Sequence, residues 1–112
     1  ELSEMSRRGL HWQEDITISS MCSVFAESEV ISLIAANKDL DDIIHGINTA
    51  VASKVLALMK RIGGQDQYLM TGGVTKNTGI VKTLEKMLGS KLHVYDESVI
   101  CGALGAALIA AE

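Results

Sequence analysis

The sequence predicts an α/β fold in which a pair of parallel strands is covered by helices. The second half of the chain alternates strand-like and helix-like runs, in the order strand, helix, strand, helix. A helical crossover between two strands of one sheet joins them in parallel. Upstream, apolar residues recur at steps of three and four over residues 40–62, which predicts a long amphipathic helix packed against this unit.

The first 36 residues are predicted to form two helices and a short strand. Residues 1–9 are typical of the end of a helix that stops at a glycine. Residues 15–19 alternate β-branched apolar and polar side chains, which indicates a strand. Ser23 is expected to cap a helix from Val24 to Ala36. The acidic residues expected to favour the N-terminal half of that helix are Glu27 and Glu29.

The long helix over residues 40–62 has clear start and stop signals. Asp39 is expected to cap it, and the pair Gly63-Gly64 is expected to end it. Its apolar positions predict one buried face, and its polar positions predict a solvent-facing side. The apolar face comprises Leu40, Ile43, Ile44, Ile47, Val51, Val55, Leu58, Met59 and Ile62, and the polar side comprises Asp41, Asp42, His45, Asn48, Ser53, Lys54, Lys60 and Arg61.

The second half contains the predicted parallel pair. The first strand is expected from Tyr68 to Thr71, and the helix after it from about Thr78 to Leu88, with a stop at Gly89. The second strand is expected from Leu92 to Tyr95. A last helix opens at Asp96 or Ser98 and runs through Ala111.

Length, charge and hydrophobicity argue against several classes of protein. The chain has 112 residues, 47% of them hydrophobic, so residues 1–112 form one domain at most. A net charge of -4 without a basic stripe argues against a nucleic-acid partner. The longest apolar run is too short to span a membrane, and no signal peptide is seen, so a cytoplasmic protein is expected. Because the chain begins at Glu1 and its motifs lie late, we expect a fragment of a longer protein.

Two glycine-rich segments are candidates for ligand contact. An apolar run broken by Gly72-Gly73 just before a helix can bring bare backbone amides close to a nucleotide. The alternative is a tight turn that needs glycine and binds nothing. Gly102 and Gly105 are unusual inside a helix, and tight packing on the sheet is the favoured explanation, with nucleotide contact as the alternative.

The cysteines and histidines form no metal-binding pattern among themselves. Cys22 lies just before a predicted helix N-terminus, where the dipole favours the thiolate that binds metals, although a lone cysteine is usually a small buried apolar residue. Cys101 is interpreted as a packing residue of the last helix. His11, His45 and His93 are interpreted as surface or strand residues.

Three segments carry a family resemblance. They are Ile18 to Ile31, which includes the run Cys-Ser-Val-Phe-Ala-Glu-Ser-Glu, the glycine-pair segment ending at Asn77, and Gly102 to Ala107. Together, and in this order, they resemble the ATPase family of 2-hydroxyacyl-CoA dehydratase activators and benzoyl-CoA reductase ATPase subunits. The resemblance implies the C-terminal portion of an actin-like ATPase fold, of the ribonuclease H-like type shared by acetate and sugar kinases and heat-shock 70 chaperones.

The resemblance also implies cofactors and partners. It places Gly72 and Gly73 beside the adenosine of ATP or ADP, bound with Mg²⁺, and Val74 and Asn77 nearby. Family members are homodimers that share one [4Fe-4S] cluster, and Cys22 matches one of its ligands. The partner would be a dehydratase or a reductase. No residue of this chain is singled out as catalytic, because the family's phosphate-binding segment and second cluster cysteine have no counterpart here; the isolated chain is expected to be inactive.

The leading hypothesis is therefore that this chain is part of an ATP-driven electron-transfer activator. In this hypothesis the helix from Val24 to Ala36 is the lever at the cluster end. A small-molecule kinase of the same fold is the first alternative, and it has no need of Cys22. A regulatory module that presents the long helix as a surface is the second. Cluster content separates the activator from the kinase, and ADP binding separates both from the module.

Overall fold

The computed structural model describes residues 1–19, 22–65 and 67–112, and within these it confirms the parallel strand pair. The α-helices are α1 (Leu2–Arg8), α2 (Ser23–Ala35), α3 (Leu40–Ile62), α4 (Thr78–Leu88) and α5 (Cys101–Ala110). The strands are β1 (Tyr68–Leu69) and β2 (Leu92–His93), and short 3-10 segments span Gly73–Lys76 and Asp96–Ile100. Tyr68 lies opposite Leu92 in the parallel register. Both strands are shorter than the four residues predicted for each.

Helix α3 is the central element, and its limits are those predicted. The carboxylate of Asp39 accepts a hydrogen bond from the Asp41 amide at 2.8 Å, which is the expected N-cap. The helix ends at Gly63, whose φ is 79°. Its 23 residues span about 35 Å at 1.5 Å per residue. Helix α3 packs most extensively on α4, and also on α1 and α2.

The polar side of α3 is covered in the first half of the helix, contrary to the prediction, and exposed in the second half. Asp42, His45 and Asn48 are all buried. Segment 10–16 and helices α1 and α4 cover this side, and the Asp42 carboxylate accepts amide hydrogen bonds from Gln13 at 2.7 Å and Glu14 at 3.0 Å. In the second half of α3 the predicted apolar face is largely open instead. Its exposed residues are Val51, Val55, Leu58 and Ile62.

The core contains two small apolar clusters, each of which includes one residue of α3. One consists of Ile16, Ile18 and Ile43, with side chains from α2 and α3 packed around them. The other consists of Ala52, Ile80 and Leu84, packed against Met70 and Leu92 at the strand pair. The second cluster is what fixes the strand pair and α4 on α3.

The predicted strand over residues 15–19 is wrong as a hydrogen-bonded element. Ile16 and Ile18 are buried and Thr17 is exposed, so the alternating sequence pattern correctly predicts which of these side chains are buried. The segment pairs with no strand in the part of the chain that the structure describes. The Ser19 amide donates instead to the Glu29 carboxylate, at 3.2 and 3.3 Å to its two oxygens. The Ser19 amide is thus satisfied by a side chain and not by a neighbouring strand.

The start of α2 also differs from the prediction. Cys22, with extended backbone angles, is the N-cap residue in place of Ser23, and no side-chain oxygen caps the helix. Glu27 and Glu29 lie in the N-terminal half of α2, as predicted, but after its first turn. At the other end of the chain the last helix is delayed, because residues 96–100 form a 3-10 segment and the α-helix begins only at Cys101.

Two helices leave most of their surface uncovered. Neither α2 nor α5 has a buried residue. The Cα radius of gyration is 15.9 Å, against about 13 Å for a compact domain of this length. Within the described ranges, no helix is both long enough and apolar enough to cross a membrane.

Asp42 makes the stability of this packing dependent on pH. Hydrogen bonds from the Gln13 and Glu14 amides lower the pKa of Asp42 below its ordinary value, so the charged form is favoured in the folded state. The stabilisation is complete above the ordinary pKa and is lost as the pH falls through the lowered one. We expect the difference in unfolding free energy between wild type and Asp42→Asn to shrink as the pH falls below the ordinary pKa of 3.8, measured by urea denaturation. Asp96→Asn, at an exposed carboxylate, is the control; a pH-independent Asp42→Asn difference would contradict this.

Candidate functional site

The turn after β1, residues 72–77, forms a main-chain corner that we call the glycine corner. Gly72 has φ 92° and ψ 175°, and residues Gly73–Lys76 form a 3-10 segment. The Thr75 hydroxyl donates to the Gly72 carbonyl at 2.6 Å, and the Thr75 amide donates to the same oxygen at 3.1 Å. The Asn77 amide donates to the Val74 carbonyl at 2.9 Å. These bonds hold the corner in one conformation.

The surface of the glycine corner is open. A Cβ added to Gly72 or Gly73 would meet no heavy atom within 4 Å, and Val74 is 50% exposed. No side chain of the described residues therefore fills the space in front of the two glycines. Helix α4 begins at Thr78, as predicted, and a 3-10 segment that the sequence did not predict stands between β1 and its first turn.

Asn77 is the last residue of the glycine corner and lies where α4 begins. It is only 6% exposed, and its side-chain oxygen accepts a hydrogen bond from the Ile80 amide at 3.2 Å, which makes it the N-cap of α4. This oxygen is therefore already used in capping α4. That Asn77 lies near a bound adenosine stays a prediction, and its observed role is to cap α4.

The glycine corner is tied to the segment before α5. The Gly72 amide donates to the Ser98 carbonyl at 2.8 Å, and the Ser98 hydroxyl accepts from the Tyr95 amide at 2.9 Å. Ser98 is 4% exposed. This connection brings the start of α5 next to the corner, although 26 positions separate the two residues, as 98 minus 72 shows.

The glycines of α5 are not explained by tight packing. A Cβ on Gly102 or Gly105 would meet nothing within 4 Å among the described residues, so the favoured prediction of close packing on the sheet is wrong for this chain. The interpretation of Cys101 as a packing residue is wrong as well, because Cys101 is exposed. The whole of α5 lies on the surface with large apolar side chains outward; these include Leu104, Leu108 and Ile109.

Cys22 is accessible and stands at the N-terminus of α2. Its thiol is free and exposed, and the nearby Val24 and Phe25 are 66% and 68% exposed. Its apolar neighbours make this end of α2 a surface suited to a partner. Within residues 1–19, 22–65 and 67–112, no three His, Cys, Asp or Glu side chains are grouped to hold a metal ion.

His45 is a core residue, contrary to its interpretation as a surface or strand residue. It is 8% exposed, and its ring stacks on Trp12 with centroids 4.1 Å apart. Burial lowers the pKa of His45, while the Asp15 carboxylate, 3.6 Å away, opposes this change. Burial therefore favours the neutral form of the ring.

Comparison with known proteins decides the family. Residues 1–110 match the BadF/BadG/BcrA/BcrD ATPase family. The chain belongs to this family. It is 44% identical over 110 residues to the 2-hydroxyisocaproyl-CoA dehydratase activator of Clostridioides difficile, a match that covers 98% of the chain and 41% of that relative. It is 43% identical to the (R)-2-hydroxyglutaryl-CoA dehydratase activating ATPase of Acidaminococcus fermentans, covering 98% and 42%.

Solved structures of two BadF/BadG/BcrA/BcrD family ATPases have the same fold. The Clostridium difficile activator with bound ADPNP superimposes with a TM-score of 0.90 at 44% identity, over 98% of this chain and 41% of that one. Component A of the Acidaminococcus fermentans (R)-2-hydroxyglutaryl-CoA dehydratase gives 0.90 at 42% identity, over 97% and 42%. The expected actin-like ATPase fold is thereby confirmed. This chain spans about two fifths of the length of these relatives.

The two glycines of the corner should respond differently to substitution. Gly72→Ala forces a side chain into positive φ and is expected to cost about 1–3 kcal/mol of unfolding free energy. Gly73 has no positive φ and faces open space, so Gly73→Ala is expected to change stability by less than about 0.5 kcal/mol. Chemical denaturation of the nucleotide-free protein measures both. Equal costs at the two positions would contradict the corner conformation described here.

Proposed function

We propose that this chain is part of an ATP-dependent activator that passes an electron from a [4Fe-4S] cluster to a CoA-thioester dehydratase or to a benzoyl-CoA-type reductase. The observation that carries the proposal is the open main-chain corner at Gly72-Gly73 in a chain of this ATPase family. The relatives named as activators support the class of activity. A subunit of the benzoyl-CoA reductase of Thauera aromatica, 32% identical over 97 residues, supports the second kind of partner.

The nucleotide part of the proposal rests on space and on main-chain groups. In the glycine corner, the backbone of Gly72 and Gly73 would lie against the adenosine of ATP or ADP, because no Cβ stands between them and a ligand. The uncovered backbone at Gly102 and Gly105 offers a second open surface. That a solved relative binds ADPNP supports this proposal. Mg²⁺ would accompany the phosphates, and we assign it no ligand in this chain.

The cluster part of the proposal rests on the position of Cys22. A cluster shared by two subunits requires thiolates at the protein surface, and Cys22 is free and exposed at a helix N-terminus, where the dipole favours negative charge. The exposed face of α2 beside it would lie against the second subunit of a homodimer. When bound, the cluster supplies a low-potential electron. Helix α2 would carry the cluster end and transmit changes that follow nucleotide turnover.

The remaining partners follow from the same proposal. The acceptor of the electron would be a separate dehydratase or reductase component acting on a CoA thioester. Two free exposed cysteines suit a reducing compartment, and the proposed location is the cytoplasm. A small-molecule kinase and a non-enzymatic module are the outcomes that the two following experiments would favour if they contradict the proposal.

Nucleotide binding is tested on the complete polypeptide encoded with this chain. Gly73→Leu fills the open corner, and we expect it to raise the Kd for ADP at least about tenfold, measured by isothermal titration calorimetry. Gln67→Leu, an exposed position at the other end of β1, is the control and should leave the Kd unchanged. Absence of heat with wild type at millimolar ADP would favour a non-enzymatic module.

The role of Cys22 is tested by iron content. In the complete polypeptide purified without oxygen, we expect Cys22→Ala to lose most of its bound iron and the visible absorbance of the cluster, because one thiolate ligand is missing. Cys101→Ala, at the second exposed cysteine, should keep both. Normal iron in Cys22→Ala would defeat the ligand assignment, and ADP binding by an iron-free wild type would favour a kinase.

A further inference from the structure

We propose that Ser6 of α1 is a positioning residue for the glycine corner: its buried hydroxyl completes the first turn of α4 and so sets the direction in which Gly72 and Gly73 face the nucleotide. This inference rests on the proposed function. It concerns a residue that lies 66 positions before Gly72, as 72 minus 6 shows, and belongs to no motif of the sequence.

Two side-chain oxygens satisfy neighbouring amides at the start of α4. The Asn77 oxygen accepts from the Ile80 amide at 3.2 Å. The Ser6 hydroxyl accepts from the Gly79 amide at 3.3 Å. The first amides of a helix have no partner within the helix and need one from outside. Asn77 supplies a local cap, and Ser6 supplies a cap from a different helix.

The Ser6 hydroxyl is held in place and shielded from solvent. Its oxygen lies 2.7 Å from the Thr78 hydroxyl oxygen, and Ser6 is only 2% exposed. A Cβ on Gly79 would lie 2.9 Å from the Ser6 carbonyl oxygen and 2.6 Å from Nδ2 of Asn48. The backbones of α1 and α4 are thus in close contact at Ser6 and Gly79.

The same turn of α4 continues into the glycine corner. The Val81 amide donates to the Asn77 carbonyl at 3.1 Å, and the Asn77 amide donates to the Val74 carbonyl. A tilt of the first turn of α4 therefore moves the carbonyl and amide groups of the corner with it. Because Ser6 is buried between α1 and α4, it acts through α4 and does not touch the ligand.

The test compares Ser6→Ala with Ser3→Ala, which removes an exposed hydroxyl from the same helix. Both are made in the complete polypeptide and studied at a temperature where circular dichroism shows full folding. We expect Ser6→Ala to raise the Kd for ADP by about three- to thirtyfold, since a buried amide loses its acceptor, and to speed hydrogen exchange across residues 72–80. Ser3→Ala should change neither.

The outcomes separate this proposal from the proposed function. Wild-type affinity for ADP in folded Ser6→Ala, or unchanged exchange over residues 72–80, overturns the positioning role alone. A wild type that binds no ADP overturns the proposed function, and the link from Ser6 to a nucleotide with it. Should Ser6→Ala not fold, Thr78→Val takes its place. Thr78 is exposed, and this substitution removes the hydrogen-bond partner of the Ser6 hydroxyl. We expect the Kd for ADP to rise and hydrogen exchange over residues 72–80 to become faster, both by less than in Ser6→Ala.

Discussion

Three backbone segments approach α3 so closely that a side chain would collide at each contact, and the rest of the structure depends on this packing. A Cβ on Gly9 or on Gly79 would lie 2.7 or 2.6 Å from Nδ2 of Asn48, and a Cβ on Gly46 would lie 2.7 Å from the Ile16 carbonyl oxygen. Real Cβ contacts are longer than this, because protein interiors are already close-packed. Glycine at these positions lets α1, α4 and segment 10–16 reach α3.

This packing accounts for a core that is unusually polar. At Asp42 the contact is completed by hydrogen bonds from the Gln13 and Glu14 amides, whereas both side-chain polar atoms of Asn48, which Gly9 and Gly79 approach, have no hydrogen-bond partner among the described residues. A buried carboxylate with amide donors is stable as the charged form. The N-terminal half of α3 is joined to its neighbours by the buried side chains of Ile43 and Ile44 as well as by the hydrogen bonds at Asp42.

The proposed function depends on surfaces that the described residues leave uncovered, at the glycine corner and along α2 and α5. The glycine corner offers main chain rather than side chains to a ligand, and it is held from behind by Thr75, Asn77 and Ser98. Helices α2 and α5 both have exposed apolar faces. In a chain that spans about two fifths of its relatives' length, such faces are where a second subunit or further sequence would pack.

Local chemistry, visible in the sequence alone, determined where α3 and α4 begin and end and which segment forms the corner, but not where α2 and α5 begin. Asp39, Gly63 and Gly89 act within one or two turns of their own position, and Gly72 has the positive φ that a glycine pair predicts. Only the tertiary structure decided what covers each face. Periodicity along α3 cannot show that Asp42 and His45 meet a loop and not water, and an alternating run cannot show whether another strand is there to pair with it. The contact of Ser6 with Gly79 joins residues 73 positions apart, and contacts across such distances exist only once the helices have packed.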